Sequence, residues 1–312
     1  MNKILKIYNS NLAIWVVLFA VIAYLLPSPF MVLKPFINIF FAITMFGIGL
    51  VITDEDYRNI ARSPKEILFG NLCQFTIMPL LGIFTAWLFA LPTHITVGII
   101  LTSAAPGAMT SNVLSYLSDG DVAYSVSLTA LATLLCPLLT PLITLVLAGM
   151  MVPVPFVKMF ITILLTVVLP LVAGFMVRKM MGEKIHKIGE IPPAISVTAI
   201  IIICSYVVAA NRENLGKATL IIFAAVIFLN LAGMLSGFFA GNLMKFPFRR
   251  KKTLSIEIGM QNAGLGVILA LEHFSREVAI PAAIFTIWCI ISAALLVSFW
   301  RQIDPETGTK TI

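Results

Sequence analysis

Long apolar runs, each bounded by charged residues, proline or glycine, recur along the whole chain. A helix needs roughly 20 mostly apolar residues to cross a bilayer. The pattern predicts ten membrane-spanning helices, approximately over 11–26, 30–52, 66–90, 94–118, 121–150, 156–180, 190–210, 217–244, 253–273 and 277–300. The first run has no signal-peptide cleavage pattern, so we interpret it as a span.

The composition agrees with a bilayer environment. Of the 312 residues, 60% are hydrophobic and 11% are charged, whereas a soluble domain of this length needs a larger charged surface. The net charge of +7 is a weak sign of nucleic-acid binding, because the basic residues fall in short gaps between apolar runs. We interpret the run Arg249–Lys252 as an orientation signal facing anionic lipid headgroups. We therefore expect membrane lipid as a partner, no nucleic acid and no obligate protein partner.

The distribution of basic residues predicts the orientation, because short loops rich in Lys and Arg stay in the cytoplasm. Sixteen of the 21 basic residues fall on one side of the predicted topology. They are Lys3, Lys6, Arg58, Arg62, Lys65, Arg178, Lys179, Lys184, Lys187, Lys245, Arg249, Arg250, Lys251, Lys252, Arg301 and Lys310; the other side has Lys34, Lys158, Arg212, Lys217 and Arg276. We expect a multi-pass protein of the cell inner (plasma) membrane with both termini in the cytoplasm.

Helix-breaking residues interrupt the fourth predicted span of each half of the chain. Ten spans divide into five plus five, and an odd number per half predicts an inverted repeat. Pro106 and Gly107 interrupt the first half, and Gly259 and Gly264 interrupt the second about 150 residues later. Unpaired backbone at membrane depth is tolerated only beside protein or a water-filled cavity, and matched breaks are typical of a transport site. Close helix packing by small residues is the alternative.

Glu257 is the one acidic residue clearly within a predicted span. An ionised group there is costly unless paired, and it marks function by default; snorkelling toward the cytoplasm is the alternative. Lys, Arg and His fall only near the ends of the predicted spans, so we expect a bound cation as the counter-charge. Oxygen ligands suit a hard cation, and those available are Gln74, Ser111, Asn112, Ser125, Thr129 and Gln261. Sodium is the natural candidate, and a proton stays open.

At these residues the chain resembles the bile acid:sodium symporter family, in particular its bacterial members. The resemblance covers nearly the whole chain and is most specific at Ala105–Gly107, Ser111–Asn112 and Glu257–Asn262. It implies an all-α membrane protein of ten transmembrane helices, in an inverted five-plus-five repeat with two crossing broken helices. The chain would be a single transporter unit over 1–312. A panel domain would comprise approximately 11–52 and 156–210, and a core domain approximately 66–150 and 217–300.

The resemblance also implies the ligands of two sodium ions. The first would be held by Ser111, Asn112, Ser125, Thr129 and Glu257, and the second by Gln74, Glu257, Ile258, Met260 and Gln261. The substrate would contact Thr110, Asn262, Met109 and Ser292 in a cleft between core and panel. Bacterial relatives often have a small hydroxyl residue where this chain has Met109, so the substrate stays open.

The function that follows is sodium-coupled symport of an organic anion by alternating access, with a bile-acid-like molecule or a small carboxylate such as pantothenate as substrate. A sodium/proton antiporter of similar fold is the alternative, although no Asp lies in the interior of a predicted span. An intramembrane enzyme is disfavoured, because HExxH and GxSxG patterns are absent and the histidines fall near span ends. We therefore expect no enzymatic activity.

Overall fold

The structure is a computed structural model that describes residues 5, 8–9, 12–50, 63–182, 191–210, 212 and 220–303. Within these ranges the chain is helical and contains no β-strand. The helices long and apolar enough to cross a membrane are Pro64–Leu88, Val122–Ala148, Phe156–Met181, Pro193–Ala210, Leu220–Leu243 and Glu277–Trp300. The all-helical membrane fold is thereby confirmed, and the total of ten spans stays a prediction.

The helices are numbered here in chain order, apart from single-turn segments. They are α1 Leu12–Leu25, α2 Ile37–Gly49, α3 Pro64–Leu88, α4 Thr93–Ser103, α5 Thr110–Leu117, α6 Val122–Ala148, α7 Phe156–Met181, α8 Ile191–Ala210, α9 Leu220–Leu243, α10 Phe248–Gly259, α11 Ala263–His273 and α12 Ile280–Ile303. Residues Leu164–Val168 form a π-helical turn inside α7. The two interruptions expected from the sequence coincide with the gaps between α4 and α5 and between α10 and α11.

Two groups of helices can be distinguished by their packing. In one group α2 lies against α7 and α8, and α1 lies against α8. In the other group α3 packs against α4, α6 and α9, while α12 packs against α4, α9 and α11. The groups meet where α7 contacts α6 and α11 and where α8 contacts α12. Both helix interruptions belong to the second group.

Arg250 and Lys252, two residues of the basic run at the start of α10, contact protein, which corrects their interpretation as lipid-facing. Helix α10 begins at Phe248, earlier than predicted, because Pro247 takes an extended backbone with φ −61° and ψ 153° at the N-cap. Arg250 forms ion pairs with Glu66 and, at 2.7 Å, with Asp121. Lys252 is only 1% exposed. Carboxylates at the starts of α3 and α6 draw this arginine inward, and sequence spacing alone does not reveal them.

Part of the orientation prediction concerns residues outside the described ranges. These are Lys3, Lys6, Arg58, Arg62, Lys184, Lys187, Lys217 and Lys310. The cytoplasmic position of both termini therefore stays a prediction.

Candidate ion and substrate sites

The two helix interruptions are joined to each other through their backbones. The N–H of Asn262 donates to the carbonyl oxygen of Pro106 at 2.8 Å, and the N–H of Ala108 donates to the carbonyl oxygen of Met260 at 3.0 Å. Gly107 and Gln261 thus face each other in an isolated antiparallel bridge. Backbone groups freed by each break are paired by the other break, which satisfies them without water.

Side chains from neighbouring helices pair the carbonyl groups at the ends of α4 and α10. Thr140 of α6 donates to the Ala104 carbonyl oxygen at 2.7 Å, and Asn230 of α9 donates to the Gly259 carbonyl oxygen at 2.7 Å. Because the last carbonyl groups of a helix have no partner within it, these two contacts stabilise the helix ends in a buried position.

The carboxylate of Glu257 is buried among hydroxyl groups. Its side chain is 3% exposed and accepts hydrogen bonds from the hydroxyls of Ser111 and Ser125 and, at 3.0 Å, from that of Thr129. Ser125 and Thr129 lie one turn apart on α6 and present their hydroxyls to the same side, as their spacing indicates. Three elements, α5, α6 and α10, therefore converge on one carboxylate.

Asn112 completes the first predicted ligand set. Its Oδ1 atom lies 2.8 Å from the hydroxyl of Ser125 and 3.3 Å from that of Thr129. Ser125 has a single hydroxyl proton but has both Glu257 and Asn112 within reach as acceptors. The structure thus brings all five members of this set together, and oxygen acceptors outnumber the available protons. A hard cation fits such a donor set.

The second predicted set forms a chain of amide contacts beside the same carboxylate. Gln74 Nε2 donates to Gln261 Oε1 at 2.6 Å, and Gln261 Nε2 donates to the Ile258 carbonyl oxygen at 2.8 Å. The carbonyl oxygens of Ile258 and Met260 each accept one N–H. A carbonyl oxygen has two lone pairs, so each keeps capacity for one further contact.

A small cavity of about 10 Å³ lies between α3 and Glu257 and is called the ion cavity. Its lining is Gly70, Asn71, Gln74, Gly107, Leu128, Ala132, Glu257 and Ile258. Gly107 has no side chain at a point of close approach, because a Cβ atom there would lie 2.9 Å from Glu257 Oε2. Glycine at this position therefore allows the carboxylate to reach the junction.

A larger cleft of about 80 Å³ lies between the two helix groups. It is lined by Phe41, Thr44, Met45, Ile48, Ala108, Met109, Thr110, Ile200, Ile203, Cys204, Gln261, Asn262, Ala263, Gly264, Thr286, Cys289 and Ile290. Three of the predicted substrate residues, Met109, Thr110 and Asn262, are among these. Ser292 does not line the cleft. Its hydroxyl donates to Asn230 Oδ1 at 2.6 Å.

Sequence reasoning did not select the other polar residues of the cleft. Thr44 lies on α2, and Thr286 and Cys289 lie on one face of α12 three residues apart. Each belongs to a run that is apolar in every direction, so periodicity gives no sign of which side faces the cleft. The spacing of Thr286 and Cys289 shows only that they share a face.

Comparison with known proteins gives consistent matches over the chain. Residues 38–218 match the model of the "Sodium Bile acid symporter family". The chain is 39% identical over 312 residues to the "Uncharacterized sodium-dependent transporter YocS" of Bacillus subtilis, covering 99% of this chain and 97% of that protein.

More distant relatives agree with this match. The chain is 32% identical over 300 residues to the "Probable sodium/metabolite cotransporter BASS1, chloroplastic" of Arabidopsis thaliana, covering 96% of this chain and 75% of the relative. It is 30% identical over 253 residues to the "Ileal sodium/bile acid cotransporter" of Oryctolagus cuniculus, covering 79% of this chain and 72% of the relative. These relatives are named as transporters and not as enzymes. The chain therefore belongs to the sodium bile acid symporter family of sodium-dependent membrane transporters.

Proposed function

We propose that this protein is a sodium-coupled symporter that imports an organic anion by alternating access. The observation that carries the proposal is the carboxylate of Glu257, buried among three hydroxyls where the helix interruptions meet. In the described residues both ion pairs are made by Arg250, and neither involves Glu257. A carboxylate at membrane depth requires a counter-charge, and a transported cation supplies it.

Two sodium ions are proposed, with Glu257 shared between them. The first would be held by Ser111, Asn112, Ser125 and Thr129 together with Glu257, as the clustering of their oxygens supports. The second would be held by Gln74, Gln261 and the carbonyl oxygens of Ile258 and Met260. Sodium prefers such hard oxygen ligands, and metal-binding clusters of His, Cys, Asp and Glu are absent from the described ranges.

The proposed architecture has ten spans in an inverted five-plus-five repeat, as a single transporter unit. A panel domain (11–52 and 156–210) would move against a core domain (66–150 and 217–300). The packing of α1, α2, α7 and α8 as a group apart from α3, α4, α6 and α9 supports this division. The protein would lie in the plasma membrane with both termini in the cytoplasm.

The substrate is proposed to bind in the cleft between the two helix groups. No charged side chain lines the cleft among the described residues, so an anionic group would be held by backbone N–H groups and neutral polar side chains. Helices α5 and α11 begin beside the cleft, at Thr110 and Ala263, and helix N-termini favour anions. The apolar lining fits the carbon skeleton of a bile-acid-like molecule or of a small carboxylate such as pantothenate.

Sodium would control access to this cleft through the backbone junction. Ions beside Glu257 would hold α5 and α10 together, and Asn262, which is hydrogen-bonded to Pro106, would then keep its position at the cleft. Met109, Thr110 and Asn262 would contact the anion directly. Ser292 would act indirectly, because it holds the Asn230 side chain that pairs the Gly259 carbonyl group. Two sodium ions with one monovalent anion would carry net positive charge inward.

Uptake into proteoliposomes tests the proposal. Purified protein is first screened for thermal stabilisation by carboxylates and sulfonates in sodium and in potassium. A radiolabelled ligand from the screen is then offered to vesicles with an inward sodium gradient and an inside-negative potential. We expect accumulation that requires sodium and increases with the potential.

Two results would contradict the proposal. One is equal accumulation when potassium replaces sodium on both sides. The other is sodium-driven proton release from vesicles without added substrate, measured with an enclosed pH dye, which would indicate an antiporter.

A further inference from the structure

Asn71 has an unpartnered oxygen atom in the wall of the ion cavity. The residue is 4% exposed and lines the cavity together with Glu257, Gln74 and Ile258. Its Oδ1 atom is buried without a hydrogen-bond partner in the described part of the chain. Buried polar atoms are nearly always paired, so an unpaired acceptor in a cavity wall points to a ligand.

The amide orientation of Asn71 is set by its nitrogen atom. Nδ2 donates to the carbonyl oxygen of Ile67 at 3.0 Å and is 3.5 Å from that of Leu128. Both of those atoms are acceptors, so flipping the amide would bring oxygen against oxygen. The nitrogen is thereby fixed toward the Ile67 and Leu128 carbonyl oxygens, and the oxygen is left without a partner.

The groups around the cavity favour a cation as the occupant. Glu257, Ile258 and Asn71 line the cavity together. The Glu257 carboxylate would repel an anion, whereas the neutral oxygen of Asn71 can accept a cation as a further ligand. Asn71 and Gln74 are three residues apart on α3 and therefore share the face that lines the cavity. The cleft proposed for the organic substrate shares no lining residue with this cavity, which is much smaller.

We propose that the Oδ1 atom of Asn71 is a direct ligand of the cation beside Glu257, in addition to the second sodium ligand set. The inference rests on the proposed function, because it assigns a further residue to one of its two ion sites. A carboxylate, three side-chain amides and backbone carbonyl groups would then surround one ion, contributed by α3, α10 and the interruption after α10. Asn71 would be a second contact from α3, beside Gln74.

Sodium titration of the purified protein tests this assignment. Thermal unfolding is followed at increasing sodium chloride, with choline chloride holding the ionic strength constant. For Asn71→Leu, of similar size but without the oxygen, we expect the sodium midpoint to rise about tenfold, the scale on which the loss of one partner weakens metal binding. Thr85→Val is the matched control, because Thr85 is a fully buried residue of the same helix whose hydroxyl bonds only within it; its midpoint should equal that of the parent.

Asn71→Asp is a second variant, used if Asn71→Leu does not fold; it keeps an oxygen for the cation but loses the Nδ2 donor to the Ile67 carbonyl oxygen. An ionised oxygen attracts a cation more strongly than an amide oxygen does. We expect a lower sodium midpoint at pH 9 than at pH 6, with a larger difference between the two than in the parent. An unchanged pH dependence would overturn the assignment, as would a parent-like midpoint for Asn71→Leu.

The failure of this inference is distinguishable from failure of the proposed function. If the parent protein shows no saturable sodium response, and Glu257→Gln behaves like it, then the symport proposal itself is overturned. If the parent saturates and Glu257→Gln does not, while both Asn71 variants titrate like the parent, then only the role of Asn71 is overturned.

Discussion

The N–H group of Asn262 donates to the carbonyl oxygen of Pro106 at 2.8 Å, so the two helix interruptions are directly bonded. Asn262 also borders the cleft, and its side-chain oxygen accepts from the N–H of Leu265 at 3.3 Å as the N-cap of α11. The same residue therefore contacts the junction, the cleft and a helix N-terminus. Cation binding at the ion cluster, which is Glu257 with Ser111, Asn112, Ser125 and Thr129, and substrate binding in the cleft should therefore influence each other through this residue.

Replacement of Glu257 by Gln should abolish sodium dependence. The amide keeps the shape of the side chain but removes the charge that a cation neutralises, so we expect no saturable sodium stabilisation and no sodium-driven uptake. Glu272→Gln is the control, because Glu272 is an exposed acid that pairs with Asn38 at 2.9 Å, away from this cluster. Full sodium-driven uptake by Glu257→Gln would contradict the proposed mechanism.

Gly107→Ala should weaken sodium binding without unfolding the protein. The added methyl group would lie 2.9 Å from Glu257 Oε2 and would displace the carboxylate from its hydroxyl partners. We expect the sodium midpoint in a thermal-shift titration to rise about tenfold, which corresponds to about 1.4 kcal/mol.

Gly264→Ala is the matched comparison for this glycine. A Cβ atom at Gly264 would lie 3.2 Å from the ring of Phe41 in the cleft. This variant should raise the substrate KM and leave the sodium midpoint of the substrate-free protein as in the parent. If both variants changed only the sodium midpoint, the separation of ion cluster and cleft would be wrong.

Thr140→Val should destabilise the junction from outside the ion cluster. It removes the hydroxyl that pairs the buried Ala104 carbonyl group at 2.7 Å, and an unsatisfied buried acceptor costs about 1–3 kcal/mol. We expect that loss in the free energy of unfolding measured by denaturant titration in mixed micelles. Thr144→Val is the control, because Thr144 is equally buried but its hydroxyl donates to the backbone carbonyl oxygen of Thr140 within the same helix. Equal losses in both variants would indicate a general effect of removing hydroxyls from α6.

Arg250→Ala should lower stability without altering sodium affinity. Arg250 pairs with Glu66 and Asp121 and lies over the ring of Tyr124 at 4.9 Å. Because the arginine is partly exposed, its ion pairs are screened, and we expect a loss of about 1–2 kcal/mol in the free energy of unfolding. Lys65→Ala removes an exposed charge at the start of α3 and should change it by less than about 0.5 kcal/mol. A shifted sodium midpoint in Arg250→Ala would show that this cluster is coupled to the ion cluster.

Local chemistry was enough to predict the helix breaks and much of the ion cluster. Pro106 lacks an N–H group, and the glycines near Gly259 weaken the helix, so both interruptions could be located from residue type. Ser125 and Thr129 could be assigned to one face because their spacing matches one helical turn. Glu257 was identifiable because an acidic residue within an apolar run is rare.

The direction in which each helix faces could not be obtained in the same way. Ser292 and Thr286 both lie in an apolar run, but Thr286 borders the cleft while Ser292 bonds to Asn230. That difference depends on how α12 packs against α9, and in a uniformly apolar helix no polar face reveals it. The inward turn of Arg250 had the same origin, since its partners Glu66 and Asp121 come from distant parts of the chain.

The backbone junction between the two helix interruptions does not depend on the side chains that border the cleft. Its two hydrogen bonds, from Asn262 to Pro106 and from Ala108 to Met260, use only main-chain atoms, so they survive almost any exchange of the side chains that border the cleft. Met109 and Thr286, which line the cleft, can therefore change without breaking the contact between the two interruptions. Under the proposed function, substitutions that alter which substrate binds would leave the sodium ligands in place.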